Sequence, residues 1–151
     1  MPIAIRSDKI ILSSEKETEK LANKFLKKLK PGNIVFLYGE IGVGKTTFVR
    51  HLINAFQKKN KIELTEVNSP TFNLLNEYEI KKININHYDL FRLKSSQDLN
   101  NLDIYKDNSN SIILIEWPQI IDKKPNNLIE LIFSYEDDYE KRIVEIKGLN
   151  L

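Results

Sequence analysis

The chain has 151 residues, 23 Lys and Arg against 21 Asp and Glu for a formal net charge of +2, and no cysteine. At that length one core burying roughly two thirds of the unfolded surface is expected, so residues 1–151 are read as one domain. The missing cysteines exclude disulfides, thiolate catalysis and a Cys-based zinc site. The near balance of charge argues against a nucleic-acid-binding face, and no apolar run is long enough to span a membrane or shaped like a signal segment, so the expected setting is the reducing cytoplasm.

In chain order, residues 8–12 read as a short strand and Ser14-Glu15-Lys16-Glu17 as a capping box, with the Ser14 hydroxyl on the N3 amide and Glu17 reaching back. The helix that follows directs Thr18, Leu21, Ala22, Phe25, Leu26 and Leu29 inward, and Pro31-Gly32 stops it. Lys16, Lys20, Lys24 and Lys27 fall on one face at helical spacing and are read as solvated.

The apolar run Ile34-Val35-Phe36-Leu37-Tyr38 barely alternates, as a central strand covered on both faces should. It leads into Gly39-Glu40-Ile41-Gly42-Val43-Gly44-Lys45-Thr46, then an amphipathic helix from Thr47 with Phe48, Val49, Leu52, Ile53 and Phe56 inward and Arg50, Gln57, Lys58 and Lys59 outward. This is G-x-x-x-x-G-K-[ST] with a strand before it and a helix after it. Successive amide groups and the helix start then form a cradle for phosphate, and glycines permit the positive φ and close approach it needs. Lys45 would reach the β- and γ-phosphates and the Thr46 hydroxyl would ligate Mg²⁺. The expected contacts with MgATP or ADP are Gly39, Glu40, Ile41, Gly42, Val43, Gly44, Lys45, Thr46 and Thr47. His51, beside the inner face of this helix, reads as a structural histidine.

Ile62-Glu63-Leu64 has the composition of a short strand. Ser69-Pro70-Thr71-Phe72 then breaks periodicity; it is either an ordinary turn or, beside a γ-phosphate, a switch loop in which Thr71 senses phosphate or metal. Leu74 to Ile80 and Ile83 to Leu90 alternate as paired strands around Lys81-Lys82, residues 95–106 read as a short weak helix, and Ser111 to Glu116 is a second buried strand halted by Trp117-Pro118. Asn127 to Tyr135 and Tyr139 to Ile146 read as a hairpin around an acidic turn. The expected fold class is α/β, a P-loop NTPase fold whose mixed, mostly parallel sheet is flanked by helices and carries a C-terminal β-hairpin.

Mg²⁺ on a nucleotide takes hard oxygen ligands, and Glu116 and Asp89 are the carboxylates at strand ends where open α/β sheets bind ligands. Trp117 either caps a ligand or partner surface or is part of the core. The expected metal set is Thr46, Glu116 and Asp89; the expected catalytic residues are Lys45, Asp89 and Glu116.

Taken together, Thr18, Pro31-Gly32, Gly39 to Thr47 with Arg50, Ser69-Pro70-Thr71-Phe72, His87-Tyr88-Asp89-Leu90-Phe91-Arg92-Leu93 and Ile115-Glu116-Trp117-Pro118 resemble the TsaE (formerly YjeE) family, across almost the entire chain. Its members are small bacterial phosphate-loop ATPases required to form threonylcarbamoyladenosine in tRNA. The resemblance implies Lys45 and Thr46 as phosphate and magnesium groups, Glu116 as a magnesium-side carboxylate, and Asp89 as a second required acid that orients water or metal. It also implies a switch at Ser69 to Phe72 and Ser14 near the nucleotide base. Low ATPase activity alone, action on the TsaB and TsaD pair, and an indirect link to tRNA through that complex are further implications. The sequence departs from the family pattern at His51 and Asn101, where glycine is common, and at Gln119, where glutamate is common. Asparagine tolerates left-handed backbone, so the turn at 101 is expected to survive. On residue chemistry alone the rivals are a small nucleotide kinase, for which an arginine-bearing lid is missing between Arg50 and Arg142 apart from Arg92, and a non-catalytic ATP-gated binding module.

Overall fold

Ile34–Tyr38 lies at the middle of a seven-stranded sheet, and everything that positions the phosphate loop is built outward from it. The computed structural model describes residues 7–70, 73–105, 108–136 and 140–151. In chain order these form β1 (Ser7–Leu12), α1 (Glu15–Lys28), β2 (Ile34–Tyr38), α2 (Lys45–Lys59), β3 (Leu75–Ile80), β4 (Ile83–Asp89), α3 (Ser96–Asn100), β5 (Ser111–Glu116), β6 (Leu128–Tyr135) and β7 (Arg142–Lys147). Single 3₁₀ turns at Asn108–Asn110 and Pro118–Ile120 flank β5.

The strand order is β1-β7-β6-β2-β5-β4-β3. The three central pairings, β6 with β2, β2 with β5 and β5 with β4, are parallel, while β1 with β7, β7 with β6 and β4 with β3 are antiparallel. Because β1 and β6 are both antiparallel to β7, β1 runs with the central four, and only β7 and β3 oppose them. The sheet is thus mixed, with its parallel part where the site lies.

Alternate residues of β2 and β5 supply two cores. Val35, Leu37, Ile112 and Leu114 pack with Leu21, Phe25, Phe48 and Leu52 beneath α1 and α2, whereas Ile34, Phe36, Ile113 and Ile115 pack with Tyr88, Leu90 and Ile104 on the opposite face. Both faces are covered, which is why neither strand alternates in sequence. Phe25 and Phe48 are fully buried and meet edge to face at 5.2 Å, fixing α1 against α2. Burial of each ring is worth about 1.5–3 kcal/mol, and the pair geometry about 0.5–1.5 more.

Several local expectations change. Ser14 occupies the N-cap of α1 with extended backbone, but its hydroxyl makes no capping bond; Glu17 turns instead to Lys20 at 3.4 Å, so the box does not close. Ile62-Glu63-Leu64 is not a strand, for this stretch terminates α2: the Ile62 amide donates to the Gln57 carbonyl at 2.9 Å. Gln57, expected outward, is buried because its amide meets the Thr65 hydroxyl at 2.9 Å and the Thr65 N–H at 3.2 Å. The weak helix at 95–106 contracts to Ser96–Asn100, capped by the Ser95 hydroxyl, which accepts from Asp98 N at 3.2 Å. Asn101 is right-handed at φ −72°, and the left-handed residue of that turn is Asp103 at φ 48°. The hairpin of β6 and β7 is present, with Tyr135 opposite Arg142; Asp137, Asp138 and Tyr139 of its turn lie outside the described residues.

Candidate functional site

The carboxyl ends of β2, β5 and β4 share one edge of the sheet in matched register, Leu37 opposite Glu116 and Glu116 opposite Asp89. The loop leaving β2 turns back over this edge through Gly39 at φ 145° and Gly44 at φ 117°. At Gly39 the constraint is packing as well as backbone, since a Cβ would stand 2.7 Å from Val43 Cγ1 and 2.9 Å from the Phe133 carbonyl oxygen. The glycine therefore seats the loop on β6. Gly44 is the N-cap of α2, and its left-handed conformation turns the chain into the helix at Lys45, two residues before the expected start.

Gly44 has no side chain with which to cap that helix end, and no acidic residue occupies its first turn. The first-turn amides and the positive end of the helix dipole are left for an anion. Beneath them is a cavity of about 170 Å³ lined by Ile41, Gly42, Gly44, Lys45, Thr46, Thr47, Glu116 and Trp117. A larger cavity of about 330 Å³ lies on the opposite face between α3 and the turn after β5, but no buried cation and no α2 terminus face it.

Lys45 is 4% exposed. Its ammonium donates to the Gly39 carbonyl and stands 3.7 Å over the centre of the Trp117 ring. Burial lowers its pKa, and the negative charges of Glu116 and Asp89 oppose that shift. Trp117 presents its ring because its own backbone is left-handed, φ 57° and ψ 55°, at a cost of about 1–2 kcal/mol. Its backbone N–H is held by the Leu37 carbonyl at 3.3 Å, and Phe91 packs on its ring at 4.8 Å. Trp117 is half-buried, and its ring forms a wall of the cavity.

Thr46 and Glu116 are brought together, with the hydroxyl 3.1 and 3.2 Å from the two carboxylate oxygens. Glu116 is itself only 2% exposed, and its Oε2 meets His87 Nε2 at 2.6 Å. Asp89 has different partners: its Oδ2 accepts from the Ser69 hydroxyl at 2.5 Å and its Oδ1 from the Phe91 amide at 3.0 Å. A hydroxyl and a carboxylate, both hard oxygen donors, at the foot of a helix start fit Mg²⁺, which keeps several waters and shares its shell with phosphates. Among the described residues no group of three or more His, Cys, Asp and Glu is placed to hold a metal without such help.

The other expected contacts spread around this centre. Val43 is fully buried as an anchor of the loop, Glu40 is exposed, and Ile41 is exposed at the cavity mouth. Ser14 is exposed at the head of α1 and does not line the cavity, while its neighbour Glu15 accepts from Arg50 at 2.7 Å and His51 at 2.9 Å, tying α1 to α2. His51 is a structural histidine, as expected. Thr71 lies outside the described residues.

Sequence reasoning assigned no role to His87 or Arg142. His87 was findable: two residues before Asp89 on a strand, it shares the face on which Glu116 projects. Arg142 places its Cδ 3.6 Å from where a Gly44 Cβ would stand, with its guanidinium 5.5 Å from the Tyr135 ring centre. Only the pairing of β7 with β6 brings it there.

The family described as "Threonylcarbamoyl adenosine biosynthesis protein TsaE" matches residues 12–144. A Rickettsia bellii protein named tRNA threonylcarbamoyladenosine biosynthesis protein TsaE is 44% identical over 137 residues, 90% of this chain and 92% of its own length. A protein of the same name from Aquifex aeolicus is 36% identical over 134 residues, 89% of this chain and 93% of its own. Among solved structures, the crystal structure of Bacillus subtilis YdiB superposes with a TM-score of 0.74 at 20% identity, covering 98% of this chain and 89% of that one, a likeness of fold.

Proposed function

The chain belongs to the TsaE family, whose members are named for tRNA threonylcarbamoyladenosine biosynthesis, and from that premise we propose that it is a slow, Mg²⁺-dependent ATPase of this machinery. It acts in the cytoplasm on the TsaB and TsaD pair and reaches tRNA only through them. The observation that carries the reading is one cluster: a buried lysine and a threonine–glutamate pair 3.1 Å apart beneath an uncapped helix start.

Lys45 is a cation held out of water, with one carbonyl and one aromatic face as its observed partners. A phosphate oxygen offers it a full negative charge, so the ammonium exchanges Gly39 and Trp117 for the phosphates, in a charge-assisted bond about twice as strong as a neutral one. Thr46 and Glu116 would hold Mg²⁺, and Asp89, fixed through both oxygens, would orient the attacking water. When bound, Mg²⁺ neutralises phosphate charge and orders the phosphate oxygens. Ser69 joins Asp89 to the segment that precedes Pro70, which would couple the water-orienting acid to that segment.

The small cavity favours action on a partner over action on a second small substrate. A switch of this kind biases its partner only by the difference in its affinity for the partner's two states. Reconstituted tRNA modification from threonylcarbamoyl-adenylate with cognate TsaB and TsaD tests the reading. Multiple turnover is expected with this chain and ATP, and single turnover with its Lys45→Ala form. Equal turnover with the chain, with the variant and with neither would refute it.

A further inference from the structure

His87 stands in β4 between Asn76 of β3 and Leu114 of β5, a place where an apolar side chain would fill the core without penalty. Its ring is fully buried, which for an imidazole demands hydrogen-bond partners. It has one: Nε2 lies 2.6 Å from Glu116 Oε2, while Nδ1 has none. A carboxylate only accepts, so Nε2 carries the proton, and the orphan Nδ1 of that tautomer is a bare lone pair. Glu116 is thereby held on both sides, by His87 from within the sheet and by Thr46 from the loop.

We propose that His87 is a positioning residue: by donating Nε2–H to Oε2 it fixes the Glu116 carboxylate beside the Thr46 hydroxyl, and so sets how much Mg²⁺ the site needs to bind nucleotide. The inference rests on the Mg²⁺ and nucleotide reading above and adds to it the residue that orients the carboxylate. A merely structural histidine would stabilise β4 and leave the magnesium dependence alone. A positioning one acts on Mg²⁺-dependent binding and spares nucleotide binding without the metal.

The test uses the full chain, with ADP affinity measured by calorimetry across a magnesium series and without magnesium, for the parent, His87→Leu, His87→Gln and His87→Asn. Glutamine carries a donor near the Nε2 position; asparagine is too short to reach Glu116. Loss of a residue that orients a metal ligand commonly weakens metal binding about 10–100-fold. His87→Leu and His87→Asn are therefore expected to raise the Mg²⁺ midpoint at least ~10-fold with metal-free ADP affinity within about twofold of the parent, and His87→Gln to recover most of the loss. Imidazole ¹⁵N spectra of the nucleotide-free parent supply a second readout and should show His87 as the Nε2–H tautomer, altered in Glu116→Gln. Parent midpoints in the folded Leu or Asn variants, an Nδ1–H tautomer, no advantage of Gln over Asn, or an equal fall in metal-free binding would each overturn the assignment. A parent whose ADP binding ignores magnesium would instead overturn the metal reading beneath it, and the proposal with it.

Discussion

Asp89 and Glu116 end adjacent parallel strands and face each other in register, yet the fold treats them differently. Glu116 is sealed in, with one bond to the core through His87 and one to the phosphate loop through Thr46. Asp89 is half-buried and bonded to short-range or loop groups, the Phe91 amide two residues on and the Ser69 hydroxyl. One carboxylate is tied to the rigid centre, the other to the segment leading to Pro70. Two acids of similar chemistry at equivalent positions thus have different attachments, one to the core and the phosphate loop and one to a connecting segment.

The largest effect should come from the residue both carboxylates face. Lys45→Ala is expected to abolish hydrolysis and to weaken MgATP binding by about 1.5–3 kcal/mol, roughly 10- to 150-fold, while the protein stays folded. Calorimetry and phosphate release measure it; unchanged values would detach both acids from nucleotide chemistry.

Glu116→Ala should be next, since it removes the Thr46 partner and leaves His87 buried with neither nitrogen bonded. A stability loss of about 1–3 kcal/mol in urea, together with a raised Mg²⁺ requirement, is expected. Asp89→Ala should cost less stability, under about 1.5 kcal/mol, keep the parent Mg²⁺ midpoint and slow single-turnover hydrolysis. If the two variants exchange these profiles, the division of roles is wrong.

The smallest effect is electrostatic. Lys45 has a folded-state pKa below its ordinary value of 10.5, so the unfolded chain binds this proton more tightly than the folded one. Its contribution therefore opposes folding below the folded pKa and is relieved as pH rises from there toward 10.5. Lys45→Met should stabilise the nucleotide-free protein at neutral pH, with the advantage shrinking in that alkaline window. Because Glu116 is the stronger of the two opposing charges, Glu116→Gln should depress the lysine further than Asp89→Asn does, as followed by lysine NMR.

The parts legible in the sequence are those that local chemistry determines. The glycine spacing, the strand run before it and the acids closing β4 and β5 each follow from a few adjacent residues, and the structure places them where they were expected. What was missed depends on partners far along the chain. His87 acquires meaning only from Glu116, 29 residues later, and Arg142 only from a hairpin that returns it to the loop. Gln57 breaks the helical pattern of α2 because Thr65 satisfies its amide, and Ile62 to Leu64 looks like a strand but pairs with no strand among the described residues. The loop's first glycine reads in sequence as clearance for phosphate, whereas a Cβ there would meet Val43 and the backbone of β6.

The stacking of Lys45 on Trp117 has an optical consequence. The chain holds a single tryptophan, so its indole emission arises from one place, the wall of the phosphate cavity. An ammonium 3.7 Å above the ring perturbs the excited state, and a nucleotide that drew the ammonium away would remove that perturbation. On the proposed nucleotide reading, occupancy of the site is expected to change the intrinsic fluorescence, and a stopped-flow trace on the unlabelled protein would time the departure of the lysine from the ring.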